Sequence, residues 1–130
     1  MTQSVRLLFF TQTIGCETCP QTRQILDELP ALSDKIAIDE MNLVLDKDRA
    51  AQFGVDRVPT VAIVSRDASG AEHDSRIRFA GTPAGYEFIS LVQAVLLVGG
   101  ARASMLTEES RTQLASVDRQ LTLQVFTTPT

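Results

Sequence analysis

The chain has 130 residues, 44% of them apolar, with 12 Lys and Arg against 16 Asp and Glu for a net charge of −4, which suits one compact domain with one core. The acidic balance and the lack of a basic stripe argue against nucleic-acid and anionic-membrane partners, whose polyanionic surfaces reward clustered Lys and Arg. The opening Met1 to Arg6 has no basic n-region and only Leu7 to Phe10 as an apolar run after it, and Phe88 to Val98 falls short of the ~20 residues that cross a bilayer, so a cytoplasmic location is expected.

In chain order, Val5 to Thr11 is a continuous apolar, β-favouring run, the pattern of a central strand covered on both faces. After a loop, Thr22, Ile25, Leu26 and Leu29 recur at helical spacing, and Pro30 closes that helix. Ile36 to Leu43 reads as a second strand and Asp46 to Phe53 as a short helix, with Gly54 placed to take a left-handed conformation after it. Val61 to Ser65 and Arg76 to Ala80 are two more strands, joined by a polar connection containing Ser69-Gly70 that predicts an antiparallel hairpin. Thr82 and Pro83 are suited to cap and open a last core helix carrying Phe88, Leu91, Val92 and Val95 on one face, until Gly99-Gly100 stops it. The element order is βαβαββα.

Two cysteines, Cys16 and Cys19, lie between the first strand and the first helix. A reducing cytosol does not sustain ordinary structural disulfides, so this Cys-Glu-Thr-Cys spacing asks for a chemical explanation. The first turn of a helix offers unpaired N–H donors and the positive end of the dipole, which stabilise a thiolate and make it nucleophilic near neutral pH. Cys16 is the better placed attacker. Cys19, one turn deeper, can resolve a mixed disulfide into an intramolecular one. Pro20 still falls in the first turn, where a missing N–H costs little. Glu17, between the sulfurs, opposes negative charge on Cys16.

The segment TIGCETCP before an amphipathic helix, followed by FGVDRVPTVAIV ending in a strand, resembles thioredoxin-like proteins, and especially the glutaredoxin-like protein disulfide oxidoreductases. The resemblance covers Val5 to about Val98. It implies an α/β thioredoxin-like fold, a mixed four-stranded sheet in the order 2-1-3-4 flanked by helices. It also implies a cis-proline at Pro59 facing the cysteines, with Val58 before it free to pair its backbone with an extended substrate, and Arg57 adjoining them as a surface charge or as a source of positive potential near Cys16. The implied activity is thiol:disulfide exchange with protein disulfides, through Cys16 and Cys19 and with no bound cofactor or metal. A thioredoxin-reductase-like flavoprotein is the implied electron donor. The chain departs from many glutaredoxins near Gly81 to Gly85, which has no acid until Glu87 and so lacks the acidic glutathione-binding segment; Val5 to Thr11 likewise has no acid to carry protons.

Two other readings accompany this one: a metal-carrying module using the CxxC, and a thioredoxin-fold binding domain without redox activity. A closed metal site needs further ligands, and His73 is the chain's single histidine, expected in the solvated hairpin connection. At the far end, Leu121 to Thr127 repeats the pattern of Val5 to Thr11, with Leu123 matching Leu7 and Phe126 matching Phe10. In the resembled family two such units run in tandem. The expectation is therefore a redox unit over residues 1–100, and over 101–130 a linker helix at Thr107 to Val117 and the first strand of a truncated second unit. An unpaired apolar strand has free N–H and C=O groups, so Leu121 to Thr127 is expected to add to a sheet edge or to mediate self-association.

Overall fold

The computed structural model describes residues 1–128. Its elements are β1 (Ser4–Thr11), α1 (Cys19–Leu26), a 3-10 turn at Pro30–Leu32, β2 (Ile36–Asn42), α2 (Lys47–Gln52), β3 (Thr60–Arg66), β4 (Glu72–Ala80), α3 (Tyr86–Val98) and α4 (Glu108–Ala115). The four strands form one sheet in the order β2-β1-β3-β4, with β1 parallel to β2 and antiparallel to β3, and β4 antiparallel to β3. This is the α/β architecture that the resemblance implies and the element order allows.

The two central strands explain the layering. Side chains alternate across a strand, so a run that is apolar at every position buries both faces. Val5, Leu7 and Phe9 of β1 and Val61 and Ile63 of β3 join Leu26 and Leu29 from the α1 segment and Leu91 and Val95 of α3 in one cluster. Leu8 and Phe10, with Ala62 and Val64, pack instead on Ala50, Phe53 and Val55 around α2. Leu7 pairs with Ile38 on one side and Ile63 on the other, which sets the register of the whole sheet.

The polar connection does form a hairpin. The Asp67 carboxylate accepts from the N–H groups of Ser69 and Ala71, and Gly70 takes a φ of +84° that the turn requires. The last strand starts at Glu72, ahead of the expected Arg76, so His73 sits in β4 opposite Ser65 rather than in a loop. A bulge absorbs the extra residue: Arg76 has φ +65°, the register shifts opposite Ile63, and the Ser75 hydroxyl donates to the Ile63 carbonyl. A bulge in an edge strand leaves no period-2 trace, which is why the polar stretch reads as loop.

Another expectation is corrected. Thr82 does not cap α3, which begins at Tyr86 after Gly85 at φ +62°; the Thr82 hydroxyl is engaged by Thr22 of α1 at 2.9 Å instead. At the C-terminus, the predicted linker helix is present as α4, capped by the Thr107 side chain accepting from the Ser110 N–H. Leu121 to Thr127, expected as the first strand of a second unit, has no partner within the single chain: residues 118–128 carry no helix or strand and are exposed. A strand exists only against a partner, and none of the described sheet strands pairs with this segment. Pro129 and Thr130, which end the expected second-unit lead, lie outside the described residues. Among the described residues no helix is long and apolar enough to cross a membrane.

Candidate redox site

The site lies at the C-terminal end of β1. The chain leaves the sheet at Thr11 and is held in a short loop where the Gln12 side-chain amide donates to the Ile14 carbonyl at 2.5 Å. Gly15 then turns at φ +82°. Thr18 is the N-cap of α1 and makes no side-chain cap bond, so the N–H groups of the first turn remain without a side-chain acceptor. Cys19 is the first helical residue, Pro20 follows it, and Cys16 stands just ahead of the helix, at the positive end of its dipole.

Cys16 and Cys19 are joined in a disulfide with their Cα atoms 5.5 Å apart. The two sulfurs are not equivalent. Cys19 is buried, 4% exposed, in the cluster beneath the sheet, whereas Cys16 is half-buried and packs against that cluster from outside. Val58 is half-buried against the same cluster. The Val58–Pro59 bond is cis. Pro59 is buried, its carbonyl accepting from Gly81 N–H at 2.8 Å, and the Thr60 hydroxyl donates to the Arg57 carbonyl at 2.8 Å. Both neighbours of Val58 are thus tied down. Among the described residues no backbone hydrogen bond engages Val58 itself.

Arg57 is placed differently from the other expected site residues. Its guanidinium lies 2.9 Å from Asp56 and both side chains are exposed. That hydrogen bond and charge hold the Asp56 carboxyl below the usual carboxylate range, and among the described residues no hydrogen bond or ion pair links Arg57 to either cysteine.

Two features escaped the sequence. Arg23 lines the same groove as both cysteines, together with Gln12, Thr13, Glu40 and Asn42, and pairs with Asp27 at 2.8 Å and Glu40 at 3.6 Å. Its position four residues after Cys19 on α1 was the available signal, since such residues share a helix face. Thr22 is fully buried, and its hydroxyl bonds the carbonyl of Thr18, between the cysteines, at 2.8 Å and the Thr82 hydroxyl at 2.9 Å. The active-site turn is thereby tied to the loop that precedes α3, a long-range contact that periodicity does not reveal. Among the described residues no cluster of three or more His, Cys, Asp or Glu side chains could hold a metal ion.

No family model matches the sequence. The chain is 40% identical over 76 residues to an alkyl hydroperoxide reductase protein from Xanthomonas campestris pv. phaseoli, a match covering 58% of this chain and 12% of that protein. The solved N-terminal domain of the alkylhydroperoxide reductase AhpF from Enterococcus faecalis has the same fold, with a TM-score of 0.73 and 28% identity over 88% of this chain and 53% of the other. A protein disulfide oxidoreductase from Aeropyrum pernix gives 0.72 and 26% over 89% and 48%. The chain therefore spans about half of each solved chain and about an eighth of the longer relatives it matches. The β2-β1-β3-β4 sheet, the disulfide at the start of α1 and these likenesses together make the chain a member of the thioredoxin-fold superfamily.

Proposed function

We propose that the chain is a thiol:disulfide oxidoreductase unit that exchanges electrons with protein disulfides through Cys16 and Cys19. The observation that carries this reading is the disulfide itself: a half-buried sulfur at the uncapped start of a helix, bonded to a buried one in its first turn. In the reduced form the free N–H groups and the dipole favour a thiolate on Cys16. That thiolate attacks one sulfur of a substrate disulfide; the Cys16–substrate bond forms and the substrate's other sulfur leaves as a thiolate that takes a proton. Cys19, deprotonated, then attacks the Cys16 sulfur, closing Cys16–Cys19 and releasing the second substrate thiol. Two electrons and two protons pass to the substrate, and a donor must return them.

Val58 supplies the substrate's backbone contact in this reading, because its own N–H and C=O are unengaged among the described residues while Pro59 and Arg57 on either side are held. Arg57 acts only on the rim, since it already faces Asp56. A thioredoxin-reductase-like flavoprotein is the proposed donor, on the same polypeptide or a separate one; relatives named as alkyl hydroperoxide reductases support a reductase in that role. We assign the reaction to the cytoplasm, where dithiols are kept cycling. Residues 101–130 are proposed as the link to a second unit, with Leu121 to Thr127 as its first strand. Where it finds no partner strand in its own chain, that strand would pair with another copy of the chain.

Trapping decides the roles of the two sulfurs. Cys19→Ser should accumulate mixed disulfides with a disulfide-bonded protein such as insulin, and Cys16→Ser should accumulate none. The opposite pattern would exchange the roles, and turnover unaffected in both variants would end the proposal.

A further inference from the structure

The groove at the disulfide does not end at Cys16. Gln12, Thr13 and Asn42 line both it and an adjoining shallow depression whose other walls are Ile14, Val44 and Leu45. These three apolar side chains are 82%, 63% and 82% exposed. Each stands on backbone that a polar neighbour holds in place. The Gln12 amide bonds the Ile14 carbonyl, and the Asn42 side-chain oxygen accepts from the N–H groups of both Val44 and Leu45, at 2.9 and 3.1 Å. Asn42 is itself fixed, its N–H donating to the Asp46 carboxylate and the following Leu43 N–H to the Thr11 carbonyl at the end of β1.

Isolated exposed apolar residues are ordinary, but three that share one depression, on backbone held by side-chain hydrogen bonds, form a preorganised apolar ledge. The ledge lies across the cysteines from Val58: it belongs to the β1–α1 and β2–α2 loops, on the β2 side of β1, whereas Val58 precedes β3 on the other. A partner must bring its sulfur to Cys16, so whatever binds there continues either over Val58 or over this ledge. We infer that Ile14, Val44 and Leu45 are a specificity surface that receives apolar side chains flanking the reacting cysteine of a protein partner. The favoured substrate is thus a disulfide set in an exposed apolar segment. This inference rests on the exchange reaction proposed above and adds the partner's chemistry to it. The free energy comes from removing both apolar surfaces from water, and it acts on a protein or peptide while leaving a small disulfide untouched, since a small disulfide does not reach the ledge.

Two disulfide-linked peptide dimers test it, one with Leu and Val flanking its cysteine and one with Ser and Gly, reduced by the full chain with dithiothreitol as electron source, its uncatalysed rate subtracted, and bis(2-hydroxyethyl) disulfide as the small control. The wild-type chain should reduce the apolar dimer about tenfold faster in kcat/KM, as expected for burying one to two aliphatic side chains. Val44→Ser/Leu45→Ser, at exposed positions, should lose that preference and keep the wild-type rate on the small disulfide. Equal rates on the two peptides in the wild type, or a preference that survives the substitutions, overturns the ledge. A rate that falls equally on peptide and small disulfide also overturns it, because the loops would then act on Cys16 and not on the partner. A change from dimer to monomer in sedimentation on substitution would overturn it too and assign the ledge to a second copy. Failure of the wild-type chain on all three disulfides would instead remove the oxidoreductase reading on which the inference stands.

Discussion

Two segments of this chain have nearly the same pattern and opposite fates. Val5-Arg-Leu-Leu-Phe-Phe-Thr11 is the centre of the sheet, with Leu7, Leu8, Phe9 and Phe10 fully buried. Leu121-Thr-Leu-Gln-Val-Phe-Thr127 carries Leu123, Val125 and Phe126 at 91%, 85% and 89% exposure and forms no strand. The first has β2 and β3 on its edges and helices on its faces; the second is tied to the folded unit by a hydrogen bond from Thr127 to Glu87. Propensity and pattern are shared, so the difference is made by partners: a strand is stable when its ladder is paired and its side chains are covered, and neither condition is local.

The largest effect that this contrast predicts comes from truncating matched aromatics. Phe9→Ala should destabilise the unit by about 3–5 kcal/mol, through lost burial and a residual cavity, while Phe126→Ala should change urea stability by less than about 0.5 kcal/mol. A comparable loss in both would mean that the tail is packed in solution. A smaller effect is expected at the buried polar tie between the active-site turn and the loop before α3. Thr22→Val keeps shape and removes the hydroxyl that bonds Thr18 and Thr82, which should cost about 1 kcal/mol in a denaturation titration. No loss would mean that water replaces it.

Charge supplies the next step down. The Arg78 hydrogen bond first, then backbone bonding from Arg76, holds the Asp74 carboxyl below its ordinary value against partial burial. A carboxyl depressed on folding contributes stability above the unfolded-state pKa of about 4, and that contribution disappears as pH falls through the lower folded value. Wild type should therefore exceed Asp74→Asn by under about 1 kcal/mol at pH 7, with the gap closing below about pH 4. A gap that stays constant down to about pH 2 would assign it to hydrogen bonding alone. Least of all should change on deleting Asp118 to Thr130: unfolding midpoint and dithiol turnover are expected to stay as they were, while concentration-dependent association of the full chain gives way to a monomer in sedimentation. Loss of turnover would show that the tail belongs to the redox unit.

Much of this was legible in residues. The apolar run of β1, the stripe of Thr22, Leu26 and Leu29, and the CxxC between them report burial and helix phase directly, because local period and tertiary burial agree there. The resemblance carried by Val58-Pro59-Thr60 supplied the sheet order 2-1-3-4, which no count of apolar residues contains. Where local signals compete with long-range contacts, the residues mislead. Thr82 has the chemistry of a cap, but Thr22 faces it; His73 and Asp74 read as loop, but a bulge at Arg76 lets them pair.

What the sequence determined by itself is the unit: one core, its element order, and two cysteines spaced so that one opens a helix and the other precedes it. Those follow from periodicity and from chemistry within a few residues of chain. Only the tertiary structure decided which sulfur is buried, that Arg57 turns to Asp56 while Arg23 lines the groove, that Gln12 and Asn42 hold an apolar ledge beside Cys16, and that the last apolar run stays unpaired. Each of these depends on groups distant in sequence meeting or failing to meet, and burial, pairing and accessibility are properties of that encounter and not of the residue alone.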